Sequence, residues 1–189
     1  IEVDEKSDTI YDSFEDIRKL KPWSANGVVD REYRNVIRSL YLDNEEVKNH
    51  MKKLNEKYNL MKINEVSCEV LGLEQEVDII LVCFGIISRI CEKVRDILKD
   101  ENICVGILRP ITIWPFPYDE IKKYTHNTKY GFLCVEMNFG QMVEDVILGC
   151  SSENKVYSCA EVYGNVIDCE TIVEDIRKII KGDKHEYKI

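Results

Sequence analysis

From residue 77 to residue 160 the apolar positions form four short, nearly unbroken blocks, each followed by a stretch with helical spacing. The first block, Val77-Asp78-Ile79-Ile80-Leu81-Val82-Cys83-Phe84, is β-branched and continuous, as expected of a parallel strand covered on both faces. Gly85 ends it. Ile86, Ile90, Val94 and Ile97 then recur with helical spacing, with Arg89, Glu92, Lys93 and Arg95 on the opposite face. The second block, Ile103-Cys104-Val105-Gly106-Ile107-Leu108, runs into Arg109-Pro110, and Pro117 stands where the first turn of a helix over about 117–124 tolerates it. The third, Phe132-Leu133-Cys134-Val135, leads through Glu136-Met137-Asn138-Phe139-Gly140 into a helix carrying Met142, Val143, Val146 and Ile147. The fourth, Val156-Tyr157-Ser158-Cys159-Ala160, precedes a loop and a last helix with Ile172, Val173, Ile176 and Ile179. Strands alternating with helices of this length predict right-handed crossovers and a three-layer α/β fold around an open, mostly parallel sheet.

Upstream the pattern differs. The first thirty or so residues have no sustained period and include the turn-prone Lys21-Pro22-Trp23-Ser24-Ala25-Asn26-Gly27, so residues 1–42 read as an extended linker or arm. Asp43-Asn44-Glu45-Glu46 carries the signature of a helix start. Val47, Met51, Leu54, Tyr58 and Met61 follow at spacings of four and three, which predicts a helix over about 44–62 with a narrow apolar stripe. Such a seam suits packing on its own domain or on a partner. Residues 43–76 thus form a helix and connector, and 77–189 the α/β domain.

A chain of 189 residues with 44% hydrophobic residues can bury a core without covalent staples. Its formal charge of -9, with lysines scattered among acids along the chain, argues against a nucleic-acid binder. No apolar run is long enough to span a bilayer, and the first residues lack the basic and apolar regions of a secretion signal, which together read as cytoplasmic. Starting at Ile1 rather than Met suggests a fragment of something longer. The eight cysteines, at 68, 83, 91, 104, 134, 150, 159 and 169, include no CxxC pair. Cys83, Cys104, Cys134 and Cys159 lie in apolar runs and are expected to be buried as small hydrophobes, with no iron-sulfur cluster held by this chain.

Function in open parallel sheets gathers outside the carboxyl ends of the strands, which places Gly85, Arg109, Glu136, Asn138 and Glu161 on one edge. Gly85-Ile86-Ile87-Ser88-Arg89 lacks the glycine triplet of a dinucleotide site, and no P-loop occurs, so Gly85 reads as a close-packed strand-to-helix turn. Arg109 and Glu136, at strand ends expected to be neighbours, could pair with each other, bind a carboxylate or act as acid and base. An ion pair or interface contact is the more common role. His50, His126 and His185 neighbour no second ligand or nucleophile at a recognised spacing, so neither a metal site nor a triad is assigned.

Two segments carry more information. Leu108-Arg109-Pro110-Ile111-Thr112-Ile113-Trp114-Pro115-Phe116-Pro117 and Val135-Glu136-Met137-Asn138-Phe139-Gly140-Gln141-Met142-Val143-Glu144-Asp145-Val146 closely resemble paired stretches of 2-oxoacid:ferredoxin oxidoreductase alpha subunits. In physical terms, the prolines fix a turn that presents Trp114 and Phe116 as apolar anchors, and Asn138 with Gly140 turns the chain into the next helix. Arg109, Pro110, Trp114, Phe116, Glu136, Asn138 and Gln141 are therefore candidates for a docking ledge, the alternative for the aromatics being that they fill the domain's own core. Arg34-Asn35-Val36-Ile37-Arg38-Ser39-Leu40-Tyr41-Leu42, with the helix after it, resembles the corresponding segment of the 2-oxoisovalerate branch. Gly164-Asn165-Val166-Ile167-Asp168 departs from the family by lacking adjacent glycines.

The resemblance implies a domain similar to the carboxyl-terminal domain of transketolase-like enzymes, whose work is mainly assembly. The complete enzyme would decarboxylate a 2-oxoacid on thiamine diphosphate and Mg, pass electrons through iron-sulfur clusters to ferredoxin, and release an acyl-coenzyme A. The pyrimidine-binding domain would precede Ile1, and the diphosphate-binding signature would belong to a partner beta subunit. This chain alone is then expected to be inactive, with no catalytic, cofactor or metal residue of its own. The alternatives are a free-standing α/β interaction or regulatory module and the same domain from another thiamine enzyme. A receiver domain would need clustered acids after the first strand, where Cys83-Phe84-Gly85 offers none.

Overall fold

A computed structural model describes residues 14–25, 27–28, 31–162 and 164–188. It divides into two compact units, 1–53 and 54–189. The expected arm ahead of Phe14, and Asn26 in the turn, lie outside the described residues.

In the first unit a short helix, α1 (Phe14–Leu20), forms where the sequence has no sustained period. Asn35 then ties the following turn together, donating from Nδ2 to the Pro22 carbonyl at 2.6 Å and the Ser24 carbonyl at 3.1 Å. Helix α2 (Asn44–Asn64) matches the predicted element and begins as expected. Asp43 Oδ1 accepts the amides of Glu45 and Glu46, both at 3.0 Å, satisfying two of the helix's otherwise unpaired donors. None of the residues of α2 is buried.

The second unit holds a five-stranded sheet: β1 (Cys68–Leu71), β2 (Ile79–Cys83), β3 (Val105–Pro110), β4 (Phe132–Glu136) and β5 (Val156–Ala160). The order is β1-β3-β2-β4-β5, all parallel except β1, which pairs antiparallel with β3. β1 falls in what reads from sequence as a connector. Cys-Glu-Val-Leu is too short for its alternation of half-buried and exposed positions to stand out. Helices α3 (Ile87–Lys99) and α6 (Cys169–Lys181) cover one face, and α4 (Tyr118–Lys123) and α5 (Gln141–Gly149) the other.

β2 shows why the sheet needs two covers. Ile79, Leu81 and Cys83 enter the core under α3 and α6, whereas Ile80 and Val82 enter the core under α4 and α5. All five are fully buried, and each large aliphatic side chain so placed contributes about 1.5–3 kcal/mol. The core face of α3 is turned from the predicted one. Ile87, Cys91, Val94 and Leu98 are buried, while Ile86 stands outside the helix, 54% exposed. Cys91 is the residue that reading the aliphatics alone leaves out. The core residues Ile172, Val173, Ile176 and Ile179 of α6 are those the spacing predicts.

Two further expectations are corrected. Cys104 is exposed rather than buried, because it precedes β3: its amide donates to Asp78 Oδ2 at 2.8 Å and its carbonyl accepts the Asp78 amide. Cys83, Cys134 and Cys159 are buried as expected. Gly85 is not closely packed, since a Cβ added there meets nothing within 4 Å. Its φ of +61° is the reason for glycine.

Candidate functional site

The carboxyl ends of β3, β2, β4 and β5 share one edge because these strands are mutually parallel. β3 lies on one side of β2 and β4 on the other, so the winding reverses at β2, the position where such sheets bind ligands. This order separates the expected neighbours Arg109 and Glu136. Arg109 turns instead to β1, where Nη1 meets Glu69 Oε2 at 3.0 Å across the register pair Glu69↔Arg109. The pair is partly exposed, so it contributes at most about 1 kcal/mol.

Glu136 has a different role. Its side chain is fully buried. Oε2 accepts the Met142 amide at 2.8 Å and Oε1 the Val143 amide at 3.2 Å. Two residues on, Asn138 Oδ1 accepts the amides of Gly140 at 2.8 Å and Gln141 at 2.9 Å. Gly140 sits at φ +96°, a left-handed conformation that turns the strand exit into α5. Four consecutive amides at the start of α5 are thus occupied by two side chains of the same loop. Cys134 Sγ lies 3.5 Å from Glu136 Oε1 as donor. Burial first, then the adjacent Glu136, holds this thiol well above its ordinary value, which keeps the proton on sulfur.

That arrangement decides what the edge can hold. A diphosphate bound at a helix start needs free amides, and those of α5 are already satisfied. Among the described residues no group of three or more His, Cys, Asp or Glu could hold a metal ion. The start of α5 therefore offers no free amide to a diphosphate.

Residues 111–117, from the first of the two resembling segments, form a ledge beyond β3. Ile111 donates its amide to the Ser67 carbonyl at 2.9 Å, and Thr112 Oγ1 accepts the Ser67 amide at 3.0 Å, so the ledge is held to the strand β1 extends. The Trp114–Pro115 peptide is cis. Phe116, expected as a docking anchor, is 5% exposed and packs in the chain's own core under α4 and α5. Pro110 is buried as well. Trp114 is 52% exposed, with one edge against Tyr58 at 5.5 Å between ring centroids. Ile111, Ile113 and Met137 add exposed apolar surface at the same edge of the sheet. Gln141 is exposed, and Arg109 and Asn138 are half-buried. Behind the ledge, Tyr118 donates its hydroxyl to Asp145 and links α4 to α5. That hydrogen bond, with some burial, pushes the phenol up to about 12. Nothing in the spacing of Tyr118 and Asp145 announces this pair. The loop Gly164–Asp168 buries Ile167 and caps α6, Asp168 Oδ1 accepting the Thr171 amide at 2.7 Å.

Residues 77–176 match the family of pyruvate:ferredoxin oxidoreductase core domain II. The chain is 35% identical over 155 residues to ketoisovalerate oxidoreductase subunit VorB of Methanothermobacter thermautotrophicus, covering 81% of this chain and 42% of VorB. It is 30% identical over 108 residues to 2-oxoglutarate synthase subunit KorA of Methanocaldococcus jannaschii, covering 56% of this chain and 29% of KorA. The chain thus spans less than half the length of either relative. Among solved structures, 2-oxoglutarate:ferredoxin oxidoreductase from Magnetococcus marinus, described with 2-oxoglutarate, coenzyme A and succinyl-CoA bound, is similar in fold with a TM-score of 0.59 and 21% identity, over 75% of this chain and 24% of that one. A split-gene transketolase, described as an inactive beta4 tetramer, follows with a TM-score of 0.51 and 16% identity, over 60% of this chain and 41% of that one. With its match over residues 77–176, more than half its length, the chain belongs to the pyruvate:ferredoxin oxidoreductase core domain II family.

Proposed function

We propose that this chain is the assembly domain of the alpha-type subunit of a 2-oxoacid:ferredoxin oxidoreductase specific for a branched-chain 2-oxoacid of the 2-oxoisovalerate kind. The complete enzyme converts the 2-oxoacid anion, coenzyme A and two oxidised ferredoxins to acyl-coenzyme A, carbon dioxide, two reduced ferredoxins and a proton, and it works in the cytoplasm. Thiamine diphosphate, magnesium and the iron-sulfur clusters belong to its other parts, chiefly a beta subunit with the diphosphate-binding domain. The single observation that carries the substrate assignment is the length of the VorB similarity. A match of 155 residues does not fit between Val77 and Ile189, so it takes in part of the segment ahead of β2, whereas the 108-residue match to KorA of Methanocaldococcus jannaschii is short enough to lie within the α/β domain.

The assembly role is supported by what the carboxyl edge offers. The donors at the start of α5 are consumed internally, and the ledge presents apolar surface at Ile111, Ile113 and Trp114. Trp114, Gln141, Arg109 and Asn138 form the contact surface; Pro110, Phe116 and Glu136 hold it in place from beneath.

Purification of the complete enzyme under anaerobic conditions tests this reading. Coenzyme A-dependent reduction of ferredoxin is measured with 2-oxoisovalerate, 2-oxoglutarate and pyruvate. The highest kcat/KM is expected for 2-oxoisovalerate. A preference for 2-oxoglutarate or pyruvate overturns the substrate assignment, and no activity with any of the three overturns the reaction.

A further inference from the structure

The amino-terminal edge of the sheet carries a feature that the assembly role does not use. Lysines far apart in the sequence converge there on one hollow of about 820 Å³, between the entries to β4 and β5 and the end of α6. Its wall includes Lys129, Lys155, Lys181, Lys184 and Lys188, joined by His185, with Glu186 as the one acid. In a chain of formal charge -9 this is a local reversal of sign. Ion pairs account for part of it: Lys129 meets Asp78 at 3.4 Å, Lys155 meets Glu186 at 3.6 Å and Lys184 meets Asp175 at 2.7 Å. Lys181 and Lys188 are exposed and have no ion pair among the described residues. The carbonyl end of α6 accounts for a lysine in its last turn, Lys181, but not for Lys129, Lys155 or Lys188, which lie on other segments.

The hollow also has an apolar side, with Tyr130 and Ile180 partly exposed beside the lysines. Its volume falls in the range of small-molecule sites. None of its cations is an arginine, whose planar fork makes two-point contacts to carboxylate and phosphate alike; its lysines act as point charges. Separate ammonium groups on flexible stems instead match phosphates strung along a chain. We propose that this hollow binds a small molecule bearing two or more linked phosphates. The phosphates lie against Lys181 and Lys188, with Lys129 at the rim, and a planar group of the ligand rests against Tyr130 and Ile180. This site is separate from the carboxyl edge and does not depend on which 2-oxoacid the enzyme uses.

Calorimetric titration of the assembled enzyme with tripolyphosphate, ADP and inorganic phosphate at low ionic strength provides the test. Tripolyphosphate and ADP are expected to bind at least tenfold more tightly than phosphate, with affinity falling as salt is raised. Combining Lys181→Gln with Lys188→Gln should weaken both ligands at least tenfold, with only the small fall in thermal midpoint expected from removing a cation at the end of α6. The same charge change on α2, Lys52→Gln with Lys53→Gln, should leave binding intact. Tyr130→Ala should weaken ADP and spare tripolyphosphate. Absence of binding overturns the proposal, as does binding that survives the Lys181 and Lys188 changes or is lost equally with the α2 control. Equal loss of both ligands in Tyr130→Ala, or no loss of ADP, removes the planar group from it.

Discussion

Glu136, fully buried at the end of β4, accepts the Met142 amide at 2.8 Å and thereby fastens α5 to the strand before it. The other oxygen takes the Val143 amide. Glu136→Gln keeps the shape but replaces one acceptor oxygen with an amide that faces an N–H group. A donor left buried without an acceptor costs about 1–3 kcal/mol. The expected result is a loss of that size in unfolding free energy, read as a lower denaturant midpoint at unchanged slope. Stability equal to the unsubstituted protein would show that these bonds do not hold the helix.

Trp114 and Phe116 stand two residues apart in one motif and are expected to answer differently. Phe116 is 5% exposed in the chain's own core, so Phe116→Ala should cost the fold about 3–5 kcal/mol. Trp114 is 52% exposed with an edge-to-face contact to Tyr58, so Trp114→Ala should cost the fold only about 0.5–1.5 kcal/mol. Its larger effect should fall on assembly, where loss of an aromatic anchor costs about 2 kcal/mol or more, some thirtyfold in subunit affinity. Unfolding curves and sedimentation of the mixed subunits separate the two. Trp114→Ala that assembles like the unsubstituted enzyme refutes the docking ledge.

Much of this architecture is legible along the chain, because a strand buried on both faces must be apolar throughout. β2, β4 and the core face of α6 follow directly. What stays hidden depends on placement in space. Strand order is not written in the spacing, so Arg109 and Glu136 look like neighbours until β2 is found between them. β1, the partner that Arg109 actually takes, is only four residues long. The motif around Glu136 and Asn138 is visible in sequence as unusual, but its reason is a self-made helix cap, which appears only once the amides of α5 are located. The lysines of the amino edge likewise read as scattered, since their gathering is a property of the fold.

The thiols supply a third prediction. Cys104 is exposed, whereas Cys83, Cys91, Cys134 and Cys159 are buried. Burial pushes the Cys159 thiol up to about 12, and neighbouring Asp175 adds to it. Thiolate, not thiol, attacks disulfide reagents, so burial protects Cys159 both by access and by protonation, and the other buried thiols by access. With Ellman's reagent at pH 8, Cys104 should react first in the folded protein, and Cys104→Ser should remove the fastest phase. The buried four should react only on unfolding. A fast phase that survives Cys104→Ser would contradict this placement.

Asp168 gives a pH dependence with a definite sign. The Thr171 amide, with help from its hydroxyl and the Glu170 amide, holds this carboxyl below its ordinary value. A group whose pKa is lower folded than unfolded contributes stability that is fully present above the unfolded value, about 3.9, and is lost as pH falls through the lowered one. Asp168→Asn retains an acceptor for the α6 cap but cannot ionise, and it gives up the attraction of a negative charge to the helix start. The thermal midpoint of the unsubstituted protein should therefore exceed that of Asp168→Asn at pH 7, and the gap should close on titration from about pH 5 toward pH 3. Every other acid is common to both proteins and cancels in the difference. Asp168→Ala, which lacks the acceptor, should lie below both at every pH. A gap that stays constant across this range would mean that the Asp168 charge does not act through the helix cap.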